Sequence, residues 1–398
     1  MRLSLRPVTA VTAVAATALT VVPSPAHASE PQAAASGTWR VSLRTSAGTG
    51  AAPVVATGKK TAWTFVANEP GNKVRAFHLS GGKWRSYALP RTANGPVIEA
   101  AASSDRNVWA ATLGLPMTMA SADRLRTGRP DLSAAAASGK AGPARILRWN
   151  GHAWTTMKSL PATLVTAIAV AGPHDVRVFG TLPAKMDARP VVWRYNGKTW
   201  KRTTPKTMVT SVAVRSSRDI WAAGFDNSGN GHERVLHFDG RSWKNERLPL
   251  PSGGVFFSGI AADRDRVWVT GDDAEGPNGR AYAFVRDRRG WHRERIPGAS
   301  HLGPVSRPFL TDRGEVMFMT MPVGDEVPPA YRERMIMFHR KNTGKWHVDV
   351  VPEKLAGRGF AAWEDVAPLR GTGTVLVGGS LDDSPTSDAA VAVYRPDR

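Results

Sequence analysis

The sequence predicts an all-β fold: a seven-bladed β-propeller of four-stranded antiparallel blades, its ring closed by a composite blade made from both chain ends. Three observations predict it. A turn-plus-tryptophan motif recurs seven times, a second apolar motif recurs between its copies, and each terminus holds part of one unit.

The first motif is glycine, up to two further residues, then tryptophan. Its copies are Gly37-Thr38-Trp39, Gly82-Lys83-Trp84, Gly151-His152-Ala153-Trp154, Gly197-Lys198-Thr199-Trp200, Gly240-Arg241-Ser242-Trp243, Gly290-Trp291 and Gly344-Lys345-Trp346. Pro90, Pro161, Pro205, Pro249, Pro297 and Pro352 follow five to seven residues after the tryptophan. A proline there ends a strand, because it has no N–H for the ladder. The second motif centres on Trp63, Trp109, Arg177, Trp221, Trp268, Met317 and Leu376, with alternating apolar residues and a small one after the centre. It lies 21 to 30 residues beyond the first, too regular for unrelated loops.

Each unit then reads as four short strands. A small-apolar run such as Val209 to Val214 comes first, the second motif forms the next strand, a run such as Val192 to Tyr195 the third, and the turn tryptophan opens the fourth. Trp39 has no third strand before it, and Val391-Ala392-Val393-Tyr394 has no fourth after it. The two fragments complete one blade, which removes the open edges of a linear array. A solenoid would need polar caps at both ends.

Residues 1–28 read as an export signal, with Arg2 and Arg6 ahead of an uncharged run from Val8 to Val22 and an Ala26-His27-Ala28 cleavage pattern. That run is too short for the ~20 residues that span a bilayer. Residues 29–398 are then the secreted propeller, without a transmembrane segment, and 113–144 an Ala-, Gly- and Arg-rich loop insertion. The net charge of +20 falls to +18 when the leader departs. The absence of cysteine excludes disulfides, thiolate zinc sites and cysteine nucleophiles. No His-Glu-x-x-His, Gly-x-Ser-x-Gly or phosphate-binding glycine loop occurs, so no catalytic residue, metal or cofactor is assigned.

The tryptophan turns resemble those of secreted actinobacterial tryptophan-repeat propellers and, more loosely, tectonin-type propellers. The turns at 197–200 and 240–243 also look like the end of a sialidase Asp-box. That box has Asp two residues before the glycine, where this chain has Tyr195 and Phe238. The resemblance therefore implies a blade and no sialidase chemistry.

Antiparallel alternation puts the first-to-second and third-to-fourth turns on one face, and the longer second-to-third loops and blade links on the other. The short-turn face is basic. The second-to-third loops carry an acidic excess, and loops on a rigid scaffold are where binding residues concentrate. Candidate ligand contacts are therefore Asp226, Asp272, Asp273, Asp325, Glu326, Asp382 and Asp383, with Trp363 as an aromatic in a blade link. Asp226 to Gly231 starts like a calcium loop, but its twelfth position is His237 instead of a bidentate glutamate. A Gly/Asn turn explains it as well. The expected function is non-enzymatic, lectin-like recognition of a carbohydrate or an anionic cell-envelope polymer. The alternatives are a protein-interaction scaffold or subunit of a secreted assembly, and a propeller glycoside hydrolase or polysaccharide lyase using loop carboxylates. Nucleic acid is a minor candidate, since a secreted cation meets envelope polymers first.

Overall fold

In a computed structural model of the chain, the small-apolar runs line up around a common axis, where short side chains let seven strands crowd together. The structure describes residues 37–396, apart from 47, 69–72, 94, 114–141, 183–188, 227–231, 274–278, 323–326, 328, 333 and 384–385. Seven antiparallel sheets form, six of them with four strands in simple order from axis to rim. The innermost strands are Gly48–Ala56 (blade 1), Val97–Ser104 (blade 2), Leu164–Gly172 (blade 3), Thr207–Ser216 (blade 4), Phe256–Ala262 (blade 5), Phe309–Leu310 (blade 6) and Arg358–Leu369 (blade 7). Each touches the next, and blade 7 touches blade 1.

Blade 7 is the composite blade. Its third strand, Thr386–Arg395, pairs antiparallel with N-terminal Thr38–Thr45, from Thr38 opposite Arg395 to Thr45 opposite Ala389. A two-residue strand, Lys354–Leu355, adds a small hairpin that the sequence reading lacked. Two boundaries move as well. Trp363 lies in the innermost strand of blade 7, correcting its placement in a blade link. In blade 2 the third strand begins at Ala144, the last residue of the expected insertion.

The two tryptophan motifs do different work. The second-motif centres are buried in the second strands: Trp63, Trp109, Trp221, Trp268, Met317 and Leu376 are all 1% exposed or less. The indole N–H of Trp109 donates to Asn107 Oδ1 (3.0 Å) and that of Trp221 to Asp219 Oδ1 (2.8 Å). An Asn or Asp two residues ahead thus satisfies a buried donor that would otherwise be expensive. His78 stacks on Trp63 and His237 on Trp221, with ring centroids 4.4 and 4.0 Å apart. Arg177 takes the tryptophan's place in blade 3, its guanidinium 4.3 Å from the Phe238 ring and 3.7 Å from Asp175. Burial lowers its pKa, opposed by Asp175. The turn tryptophans open the outermost strands instead. Trp154 is buried, Trp243 is 36% exposed, and the others are half-buried.

Close approach of backbones explains the small residue in the second motif. A Cβ on Gly180, Gly224 or Gly271 would lie 2.4, 1.9 or 2.2 Å from the carbonyl oxygen of Leu164, Met208 or Phe256. Beside these glycines the innermost strand bulges, between Val165 and Ala167, Val209 and Ser211, and Phe257 and Gly259. A bulge breaks the ladder and leaves backbone groups in need of partners. The preceding blade supplies some of them. Ser211 Oγ accepts from the Ile260 amide (3.1 Å), Thr166 Oγ1 donates to the Val209 carbonyl (2.6 Å), and Asp365 Oδ2 accepts from the Val54 amide (2.9 Å).

Candidate functional site

Turn chemistry builds the short-turn face. Asn150, Asn196 and Asp239 precede the first-motif glycines, and each side-chain oxygen accepts two backbone N–H groups of the turn that follows. Asp263 does the same for Asp265 and Arg266, and Asp287 for Arg289. These side chains are thereby committed to backbone. The Lys244 hydrogen bond, with the amides of Ser242 and Arg241, holds the Asp239 carboxyl well below the usual carboxylate range. The Arg289 amide chiefly lowers Asp287.

Basic side chains of the first-to-second turns are exposed on the same face. Lys59, Arg106, Arg218, Arg264, Arg313 and Arg370 are exposed at six first-to-second turns, and His174 is exposed at the seventh. Several stems sit in notches that glycine leaves open. A Cβ on Gly151 would meet Arg106 Cβ, Cγ and Cδ at 3.2–3.4 Å, one on Gly240 would meet Arg218 Cβ and Cγ at 2.9 Å, and one on Gly371 would meet Lys59 Cε at 3.0 Å. Among the described residues of these turns, the exposed carboxylates are Asp265 and Asp312.

A second polar cluster lies at the axis. Arg307 lies in the link into blade 6, before Pro308, which has no N–H for the ladder; ahead of it Val305 bridges to Thr320, and after it comes the innermost strand, Phe309–Leu310. From this link the guanidinium reaches Asp365 of blade 7 at 2.8 Å and Glu99 of blade 2 at 3.9 Å. Blade 2 is three steps round the ring from blade 6, so Arg307 crosses the axis. It is enclosed by protein, yet its side chain is 41% exposed, as expected of a group lining an axial channel. Asp365 chiefly, with Glu99, raises its pKa above the ordinary arginine value against the effect of burial.

The described acidic loop candidates are spread over blades 4, 5 and 7. Asp226 pairs with Arg234 at 2.5 Å at the end of its strand. Asp272 is a buried strand end in blade 5, and Asp273 Oδ1 accepts from the Arg280 amide (2.8 Å) in a turn. Asp382 is an exposed residue of the second strand of blade 7, and Asp383 pairs with Thr386 at the end of that strand. Asp325 and Glu326 lie outside the described residues, as do residues 227–231 of the calcium-like loop. Trp363 is 5% exposed and packs in the core with Leu355, Leu381 and Tyr394, stacked 6.5 Å from Trp39. Among the described residues no group of three His, Asp or Glu gathers to hold a metal. No helix among them is long and apolar enough to cross a membrane.

The sequence reading missed Glu99, Arg307 and Asp365. Nothing in a single sequence aligns positions from blades 2, 6 and 7 across an axis. The turn cations were visible as charge, but their order round the ring was not.

No family model and no curated protein matches the chain. Among solved structures it is similar to YCF48 bound to a D1 peptide, with a TM-score of 0.51 and 10% identity over 91% of this chain and 95% of that one. YCF48 from Cyanidioschyzon merolae gives a TM-score of 0.51 and 12% identity over 90% and 98%. The lectin of Aleuria aurantia, described as a six-bladed β-propeller with a fucose recognition mode, gives 0.45 and 11% over 76% and 96%. Likeness at this level is likeness of fold. The chain is a seven-bladed β-propeller with tryptophan-rich blades.

Proposed function

We propose that this chain is an exported, non-catalytic binding module that recognises a carbohydrate or anionic polymer of a cell envelope, in the manner of a lectin. One observation carries the reading: the carboxylates that meet at the axis, Glu99 and Asp365, meet on Arg307. Asp365 also accepts the Val54 amide. A glycosidase needs one carboxyl free to give a proton and another free to attack or to activate water. Here the pair is occupied in joining blades. Among the described residues the short-turn face presents exposed cations at its turn tips, which suit contact rather than turnover.

The mature protein from Ser29 onward, applied to a panel of neutral and anionic polysaccharides at low and physiological salt, tests this. The expected result is retention of at least one polymer without chain shortening. Release of reducing ends would replace the reading with the glycosidase or lyase alternative. Failure to retain any polymer, with a protein recovered by cross-linking from the native medium, would replace it with the interaction-scaffold alternative.

A further inference from the structure

We infer that the short-turn face is a docking ring for a linear phosphodiester polymer, with one oxyanion on each repeat unit; this rests on the envelope-polymer reading above. First-to-second turns adjoin the innermost strands, so Lys59, Arg106, Arg218, Arg264, Arg313 and Arg370 encircle the axis at the blade spacing. Third-to-fourth turns lie further out and add exposed cations such as Lys83, Lys198 and Lys345 in a wider circle.

Two independent features make this a built surface. The stems of Arg106, Arg218 and Lys59 rest in notches left by Gly151, Gly240 and Gly371, which reduces the rotamer freedom lost on binding. The neighbouring Asp239, Asp263 and Asp287 accept turn amides. They are thereby held at the turn backbone while the cationic tips extend past them, so the face keeps its sign.

The geometry also selects the ligand. Each tip is an exposed, solvated single charge, so a single phosphate or monosaccharide would gain little from it. A chain that meets several tips gains by effective concentration and by counterion release. Five of the six inner cations are arginine, whose planar fork matches phosphate and carboxylate oxygens in pairs.

The test compares two variants of the mature protein with equal charge loss. One carries R106Q, R218Q, R264Q, R313Q and R370Q on the ring; the other carries R91Q, K206Q, R247Q, R295Q and K354Q, all exposed on the opposite, link-bearing side. Matched melting curves establish that both fold. Binding to poly(glycerol phosphate), to polygalacturonate and to neutral dextran is measured from 50 to 200 mM NaCl. The expected result is affinity for poly(glycerol phosphate); tighter, ring-dependent binding to polygalacturonate would overturn the phosphodiester assignment in favour of a uronate chain. The ring variant should lose at least about tenfold, and its slope of log K against log salt should fall by about 2 or more, with little change in the link variant. Equal loss in both variants would reduce the effect to net charge and overturn the ring while the polymer reading stands. So would salt-independent binding to dextran alone. Tighter, ring-dependent binding to duplex DNA would overturn the assignment in favour of nucleic acid. No binding to any polymer here or in the wider panel would sink both.

Discussion

Trp221 and Trp243 belong to one blade and one residue type, but burial assigns them different energetic roles. Trp221 is 1% exposed, hydrogen-bonded to Asp219 and sandwiched against His237. Trp243 is 36% exposed on the outermost strand, touching Phe179 and Phe238 edge-on or tilted. Trp221→Ala should therefore lower stability by about 3–5 kcal/mol, the range for a large core truncation. Trp243→Ala should lower it by about 1 kcal/mol or less. Urea denaturation with a shared m-value measures both, and similar values would contradict the division between core and rim. The sequence made both tryptophans visible as repeat positions. It did not separate them, because motif spacing counts residues and says nothing of distance from the axis. The separating signal was present in Asn107-x-Trp109 and Asp219-x-Trp221, where the acceptor two residues ahead marks a buried indole.

At the scale of the strand, the glycine of the second motif is legible as a small residue, but its reason lies in the bulge opposite. Bulges leave no mark on hydrophobic periodicity, since one extra residue changes neither composition nor the apolar run. The partners they create, including Asp365 with the Val54 amide, are invisible for the same reason. The carbonyl of Met208 sits where a Cβ on Gly224 would go, so Gly224→Ala forces two backbones apart. A loss of about 2–4 kcal/mol is expected, as for overpacking against atoms that cannot yield. Gly253, in the link before blade 5, has open space at its Cβ position, and Gly253→Ala should be neutral or stabilising by up to about 1 kcal/mol. Matching thermal shifts for the two variants would refute the close-approach account. Blade 6 adds a pH dependence. His339, on strand Ile336–Arg340, is buried beside Glu315 (3.2 Å), with Asp349 and His347 as further charged neighbours. Burial outweighs the acidic neighbours and lowers its pKa from the ordinary 6.5. The unfolded chain therefore takes up the proton first. The stability His339 contributes is present above about pH 6.5 and is lost as pH falls towards the lowered folded value. Urea midpoints at pH 7.5 and pH 5 should differ more in the wild type than in His339→Gln; an equal difference would assign the acid sensitivity elsewhere.

For the whole molecule, closure is the property most fully legible in the sequence, because half-units at both termini have a single economical solution. The candidate site was the least legible. The acidic loops of the variable face stand out by composition, whereas the polar groups gathered among the described residues lie at the axis and on the short-turn face. Closure predicts an asymmetry between the chain ends. Thr38–Thr45 is the outermost strand of blade 7, and its sheet partner is Thr386–Arg395. Removing residues 29–45 thus strips one rim strand and bares Tyr394, leaving three strands of the blade in place. Removing 388–398 takes most of the third strand, including Val391 and Tyr394, both fully buried. It also leaves Thr38–Thr45 without the strand it pairs to, so two strands are lost for one deletion. It breaks the contact of the Tyr394 hydroxyl with Asp349 of blade 6 as well, a seam between neighbouring blades. The C-terminal deletion should therefore lower the melting temperature far more than the N-terminal one, despite removing fewer residues, and the wild-type melt should stay a single transition because every blade leans on two others. Equal losses, or a larger loss from the N-terminal deletion, would mean that the seam is not held through the third strand.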